Sequence, residues 1–406
     1  MNAPRPHPLA LALLALTASA WPGEVTPRFG PRGAIGPDVA LSAAERKHFA
    51  NRLAVEGRTA AAIQTACDRA AKEGVPVVFL PAGTYEIEKT VRVPGGLVIL
   101  GEGSKTICRA RDRNVRMFEV AGDGVRFTRL KLQGADTTPS TTNDTHGIIA
   151  RRVRNVRIDH CELLGFSYAI TVSDEATAQV DHCATHHNLR DGLGYGVALY
   201  SGGYALVCDN HFYQNRHSLA SNGALDWSSP KRLGRYVHKP GFRKTHWEFV
   251  HNRVGPNDLS PYELCAVDTH PGMDGTFVVE RNLFENLRHG VGIRDGSGII
   301  RANLFRNLRT RTTFRPLVAI SIAYGRHNNI PVEGCMPNNI VVEANEFEMP
   351  PAVKFTKVQV GKAENVTVDG RILPRTKTAR PTPPIPRLVP MDDRGILRWK
   401  PQPLTR

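Results

Sequence analysis

At 406 residues the chain is longer than one ordinary hydrophobic core needs, and its length suits an architecture that grows by adding repeats. A formal charge of +15 favours an acidic polymer as partner; the 7% aromatic content and the lack of a nucleic-acid-binding module set nucleic acid aside. Seven cysteines without regular spacing or a C-x-x-C argue against a disulfide framework and a zinc site, and read as small buried residues.

In chain order, residues 1–20 read as a signal peptide: Arg5 without an acid, a short apolar run over 9–16, and the small-residue cleavage site Ala18-Ser19-Ala20. That run is too short to span a bilayer and no later run is longer, so the expectation is no transmembrane segment and a secreted or periplasmic protein. Residues 21–40, rich in Pro and Gly, predict an extended leader. Ser42 is placed to cap a helix starting Ala43-Ala44-Glu45, a candidate lid for the first coil of a solenoid. A second helix is predicted over 59–72, with Thr59 as N-cap, apolar positions at Ala62, Ile63, Ala66 and Ala70, and Gly74 as its stop. A buried strand over 75–80 follows, turned by Pro81-Ala82-Gly83.

Next comes a repeat: an aliphatic residue, two variable residues, Asn, one variable residue, then an apolar residue. Its bend position holds Cys161, Cys183, Asn210, Asn252, Asn282, Asn303 and Asn345. Asn at a bend predicts left-handed backbone there and amides that hydrogen-bond from coil to coil. Each bend leads to a second apolar strand, including Gly196-Val197-Ala198-Leu199-Tyr200, Ser218-Leu219-Ala220-Ser221-Asn222, Cys265-Ala266-Val267-Asp268-Thr269-His270 and Gly290-Val291-Gly292-Ile293-Arg294. With Leu199, Leu219, Val267 and Ile293 inward, alternation turns Tyr200, Asn222, Asp268, His270 and Arg294 outward as a ladder on one face. An insertion over 224–246 carries Lys231, Arg232, Arg235, Lys239, Arg243 and Lys244 with no obvious balancing acid, and should wall that ladder. The single repeat domain is expected over 41–350, and 351–406 as a Pro-rich basic tail.

The segment Ala62-Ile63-Gln64-Thr65-Ala66-Cys67-Asp68-Arg69-Ala70, then Val77-Val78-Phe79-Leu80-Pro81-Ala82-Gly83-Thr84-Tyr85, resembles the start of a pectin-lyase-like right-handed parallel β-helix. With the repeat, the resemblance covers about residues 55–350 and implies an all-β fold, a right-handed parallel β-helix solenoid with an N-terminal helical cap, on which polysaccharide lyases, hydrolases, C5-epimerases and tailspikes are built. Asp268-Thr269-His270 is similar to the Asp-Pro-His motif of C5-epimerases, with Thr for Pro and Cys265 where they carry a catalytic Tyr. Of the polygalacturonase motifs only fragments such as His289-Gly290 and Ile293-Arg294 occur.

These readings predict an exported enzyme acting on an acidic polysaccharide by β-elimination. Asp268 would orient His270 as base, Arg294 would neutralise the sugar carboxylate, and His217 or Tyr200 would supply the acid. Asn222 and Arg216 join the insertion's basic residues as binding groups. The sequence specifies no cofactor or metal, and a bound Ca2+ is an alternative neutralising group. Alternatives are a glycoside hydrolase drawing two carboxylates from Asp268, Asp274 and Asp295, a C5-epimerase, and a non-enzymatic glycan-binding solenoid.

Overall fold

The computed structural model describes residues 27–223, 225–259, 264–310, 316–326, 329–373, 387–391 and 398–400; the signal segment 1–20 lies outside them. Three sheets form the walls of a coil: a long sheet of 13 strands, a bend sheet of 10 short strands and a groove sheet of 10 strands. One coil shows the plan. Val156–Asp159 joins the long sheet, Glu162–Leu164 the bend sheet and Tyr168–Ser173 the groove sheet. Each strand pairs in parallel with its counterpart one coil on, as Ile158 does with Val180 and Leu163 with Thr185. Matching repeats therefore bring matching residues into columns.

The bend column forms as its amides require. Asn210 Nδ2 donates to Asn252 Oδ1 at 3.0 Å, Asn252 to Asn282 at 3.1 Å, Asn282 to Asn303 at 2.9 Å and Asn303 to Asn345 at 2.9 Å. Cys183 begins it by donating its backbone N–H to Asn210 Oδ1 at 2.9 Å. The left-handed backbone expected of these Asn falls one residue earlier, on Asp209, His251, Arg281 and Ala302. The amides are thereby left free to point inward. Beneath them the final apolar residues stack, Phe284 on Phe305 at 4.9 Å and Phe305 on Phe347 at 5.4 Å. All seven cysteines are free and buried.

Helix α1 (Ala43–His48) begins with a Ser42–Glu45 capping box, but none of its own residues is buried. It lies outside the coil, where Glu45 meets Arg126 and Arg129, and the following Phe49 packs against Val77, Val98 and Leu100. The expected lid is instead α2 (Ala60–Glu73), capped by Thr59 and stopped by Gly74 at φ 69°. Its buried Ala60, Ile63, Ala66, Cys67 and Ala70 close the first coil, because this spacing puts them on one face of the helix. The coil also runs past 350: Thr356–Val360 adds to the groove sheet and Glu364–Val368 to the long sheet.

Part of the leader is a strap. Gly30 N–H donates to the Arg281 carbonyl, Arg32 grips Asp209 through Nε at 2.9 Å and Nη2 at 2.6 Å, and Gly36 N–H donates to the His182 carbonyl. From the other end of the chain, Leu388 and Met391 pack on Leu206 and Cys208 of the long sheet. Among the described residues no helix is long and apolar enough to cross a membrane.

Candidate active site

The site is built by register. Tyr200 pairs with Asn222, Leu219 with Val267, and Thr269 with Ile293. Carried one residue on, the ladder sets Tyr200, Asn222, His270 and Arg294 side by side along the groove sheet. A second outward column holds His146, Tyr168, Tyr195 and His217. Between these columns Asp268 sits under the floor of the groove, 1% exposed.

Asp268 is the hub. Arg294 Nε donates to its Oδ1 at 3.1 Å while Nη2 meets Oδ2. His270 Nε2 lies 2.9 Å from Oδ2 and His217 Nε2 lies 3.8 Å from it. Burial pushes the Asp268 carboxyl up, but Arg294 and then His270 outweigh it and hold it well below the usual range. An ionised Asp268 accepts only, so His270 Nε2 carries the proton and Nδ1 keeps its lone pair. Burial also lowers the His270 pKa, with Asp268 opposing, so the ring is neutral at neutral pH. His217 is neutral for the same reason and is fixed by Nδ1–H donation to the Cys265 carbonyl at 2.6 Å. The Cys265 thiol is pushed well up by burial, which leaves it unreactive.

A groove of about 880 Å³ lies above this hub, lined by Tyr195, Tyr200, Arg216, Asn222, His270 and Arg294 among others. Tyr195 is a contributor that alternation did not single out. Its ring lies 5.5 Å from that of His217 and 5.8 Å from that of His270, and Arg216 Nη1 donates to its hydroxyl at 3.3 Å. Burial raises its pKa to about 12 and that of Tyr200 well above the usual value, so both hold their protons. Its position facing His217 in the neighbouring strand was the available signal. Tyr200 stands two strands from His270 on the ladder.

The insertion does not present its basic residues as one wall. Lys239 lines the groove, with Leu225 and Trp227 from the same segment. Arg232 pairs with Asp226 at 3.3 Å, Arg235 with Glu333 at 3.2 Å, Arg243 with Glu175 at 2.8 Å and Lys244 with Asp274 at 3.3 Å. Lys231 is exposed on a short helix, Ser229–Leu233, outside the groove lining. The acids that balance the loop come mainly from other coils, which is why local sequence showed so few. Leu225 and Tyr236 anchor it against Val332 and Cys335, and His238 Nε2 donates to the Gly272 carbonyl at 2.8 Å.

Residues 56–223 match the family model described as rhamnogalacturonase A/epimerase, pectate lyase-like. The matched stretch spans less than half of the chain and lies within the parallel β-helix. No curated protein sequence matches the chain. Among solved structures it is similar to the Dettilon tailspike protein (12% identity, 80% of this chain and 71% of that one, TM-score 0.48). It is also similar to an alginate lyase from Paenibacillus sp. str. FPU-7 (12%, 78% and 99%, 0.38). A third is the Streptococcus pneumoniae surface protein and adhesin PfbA (10%, 78% and 99%, 0.40). At these identities the likeness concerns the fold alone, and the family match ends before Asp268.

Within this parallel β-helix, side-chain chemistry separates the alternatives. His217, Asp268 and His270 offer ligand atoms within 4.8 Å of one another. Arg294 already occupies both Asp268 oxygens, and calcium prefers six to eight oxygen ligands, so this set does not fit Ca2+. The carboxylates considered for hydrolysis do not converge. Asp295 is 1% exposed and accepts the backbone N–H groups of Gly272, Asp274, Gly296 and Met336. Asp274 turns to Lys244 and lies outside the groove lining.

Proposed function

We propose that this protein is an exported polysaccharide lyase that cleaves beside a uronic acid by β-elimination. The observation that carries the reading is a neutral His270, with Nε2 committed to buried Asp268 and Nδ1 free, beside Arg294 in the floor of a long groove. The sugar carboxylate meets Arg294 and Arg216, whose positive charge makes the C5 proton more acidic. His270 Nδ1 takes that proton, and the electron pair forms the C4–C5 double bond as the bond from C4 to the glycosidic oxygen breaks. The Tyr195 hydroxyl supplies the proton to the leaving oxygen. A water carrying the proton from His270 back to Tyr195 resets the site. Asp268 holds the imidazole and steadies its cation, the usual service of a carboxylate behind a histidine. Tyr195 replaces Tyr200 as donor because its ring lies beside His270. His217 packs against both rings and fixes their positions.

The test is purified protein against a panel of acidic and neutral polysaccharides, read by ultraviolet absorbance and reducing ends together. Elimination raises both signals. Reducing ends alone indicate hydrolysis, and binding without shortening indicates a glycan-binding solenoid. His270→Ala should lower kcat by about 100- to 10,000-fold.

A further inference from the structure

The groove is not uniformly basic. It crosses seven strands, from Arg116–Val120 to His289–Ile293, and six spacings of about 4.8 Å give it roughly 29 Å. Around His270 its lining carries Arg216, Arg294 and Arg326, and no described carboxylate lines that part; Asp268 lies beneath and is paired with Arg294, while Lys239 stands where the groove meets Asp174 and Ser201. The far end carries Glu119 and Asp144 against Arg116 and Arg151, and Arg151 turns to Asp174 of the next coil at 3.4 Å. Between the ends lie uncharged hydroxyl and aromatic groups: Tyr168, Thr171, Ser173, Tyr195, Tyr200 and Ser201.

An independent observation marks the floor from this middle section to His270 as a ligand surface. Thr171 Oγ1, Ser173 Oγ and Asn222 Oδ1 are buried without a hydrogen-bond partner. Their residues are only 7%, 5% and 8% exposed, yet all three line the groove. Buried polar atoms are nearly always bonded, so three unpaired ones in one floor call for an external partner. Sugar hydroxyls both donate and accept, which suits a side-chain carbonyl and two hydroxyls. Ser173 lies three strands from His270 on the ladder, about 14 Å away.

We infer that the substrate is a heteroglycan in which the reacting uronate is flanked by uncharged sugars, and that the groove discriminates against homopolyuronates. This rests on the lyase reading for the reacting unit. A chain with a carboxylate on every sugar would set negative charge against Glu119 and Asp144 at the far end and Asp174 beside the middle section, and like charges brought together weaken binding. It would also leave the hydroxyl-lined floor facing carboxylates instead of neutral rings.

The experiment compares polygalacturonate and polymannuronate with hyaluronan and gellan, in which uncharged sugars separate the uronates. Initial rates of ultraviolet-absorbing product are measured for the native protein and for the double variant Glu119→Gln, Asp144→Asn. Competition binding is measured in parallel with His270→Ala. The inference expects kcat/KM at least about tenfold higher on a separated-uronate glycan, and a ratio that narrows in the double variant. Equal or better cleavage of homopolyuronates, unchanged by the double variant, overturns the inference and leaves the lyase reading standing. No unsaturated product from any glycan defeats the lyase reading instead. In that case a binding preference for the separated-uronate glycans still supports the inference, and equal or absent binding overturns it.

Discussion

His270 owes its character to Asp268. The carboxylate accepts the hydrogen bond from Nε2–H, burial keeps the ring neutral, and the Nδ1 lone pair is left uncommitted. The sign of the pH dependence follows. Lowering the His270 pKa widens the range in which the base is ready, so kcat/KM should be flat through neutrality and fall only as pH drops through a value below 6.5. The alkaline limb should wait for Tyr195, near about 12. A pH profile whose acid limb lies above 6.5 would remove His270 as the base. Asp268 also contributes stability. Its depressed pKa means that this contribution is present above the unfolded value of about 3.9 and is lost as pH falls through the lower folded value. Asp268→Asn removes the charge at every pH and leaves Arg294 without its partner, so denaturant unfolding at pH 7 should show a loss of about 3–5 kcal/mol. Asp268, His270 and Arg294 were legible as one face because alternation is local. The burial of Asp268 was not, since Arg294 comes from a different coil.

The bend is the element that makes the repeat work. Asn282 accepts from the Asn252 N–H at 2.8 Å, and its amide donates to Asn303 and to the Phe249 carbonyl. Asn282→Ala breaks the column and strands a buried backbone donor, so a loss of about 2–4 kcal/mol is expected in the denaturant midpoint. The residue before it bears the backbone strain. Ala302, at φ 50°, holds a side chain where glycine would be at ease. Ala302→Gly should therefore stabilise the protein by about 0.5–1 kcal/mol, an unusual sign for a glycine substitution, and thermal melting would show it. The Asn column was readable from spacing. Its left-handed neighbour was not, because Asp, His, Arg and Ala occupy that position and only the geometry of the corner unites them.

At the scale of the molecule, a solenoid has ends and edges that must be closed. Helix α2 closes one end, while the leader strap ties coils that otherwise touch only their neighbours. Arg32 joins the strap to Asp209, which is 3% exposed, and Gly30 and Gly36 fasten it two coils to one side and one coil to the other. Removing residues 27–40 should lower the thermal midpoint and expose the bend column to limited proteolysis, while the β-sheet circular dichroism survives. An unchanged midpoint would show the strap to be incidental.

By itself the sequence determined the coil, the Asn column, the α2 caps and the face carrying Asp268, His270 and Arg294, because each rests on spacing within a few residues or on a repeat of such spacings. Tertiary structure alone decided which helix closes the coil, that the coil continues past 350, and that Tyr195 stands by His270. It also decided that Lys239 faces the groove while Arg235 and Arg243 are paired elsewhere. The reason is physical: the insertion takes its position from Val332, Cys335, Gly272, Glu333 and Glu175, residues far along the chain whose proximity no local pattern records.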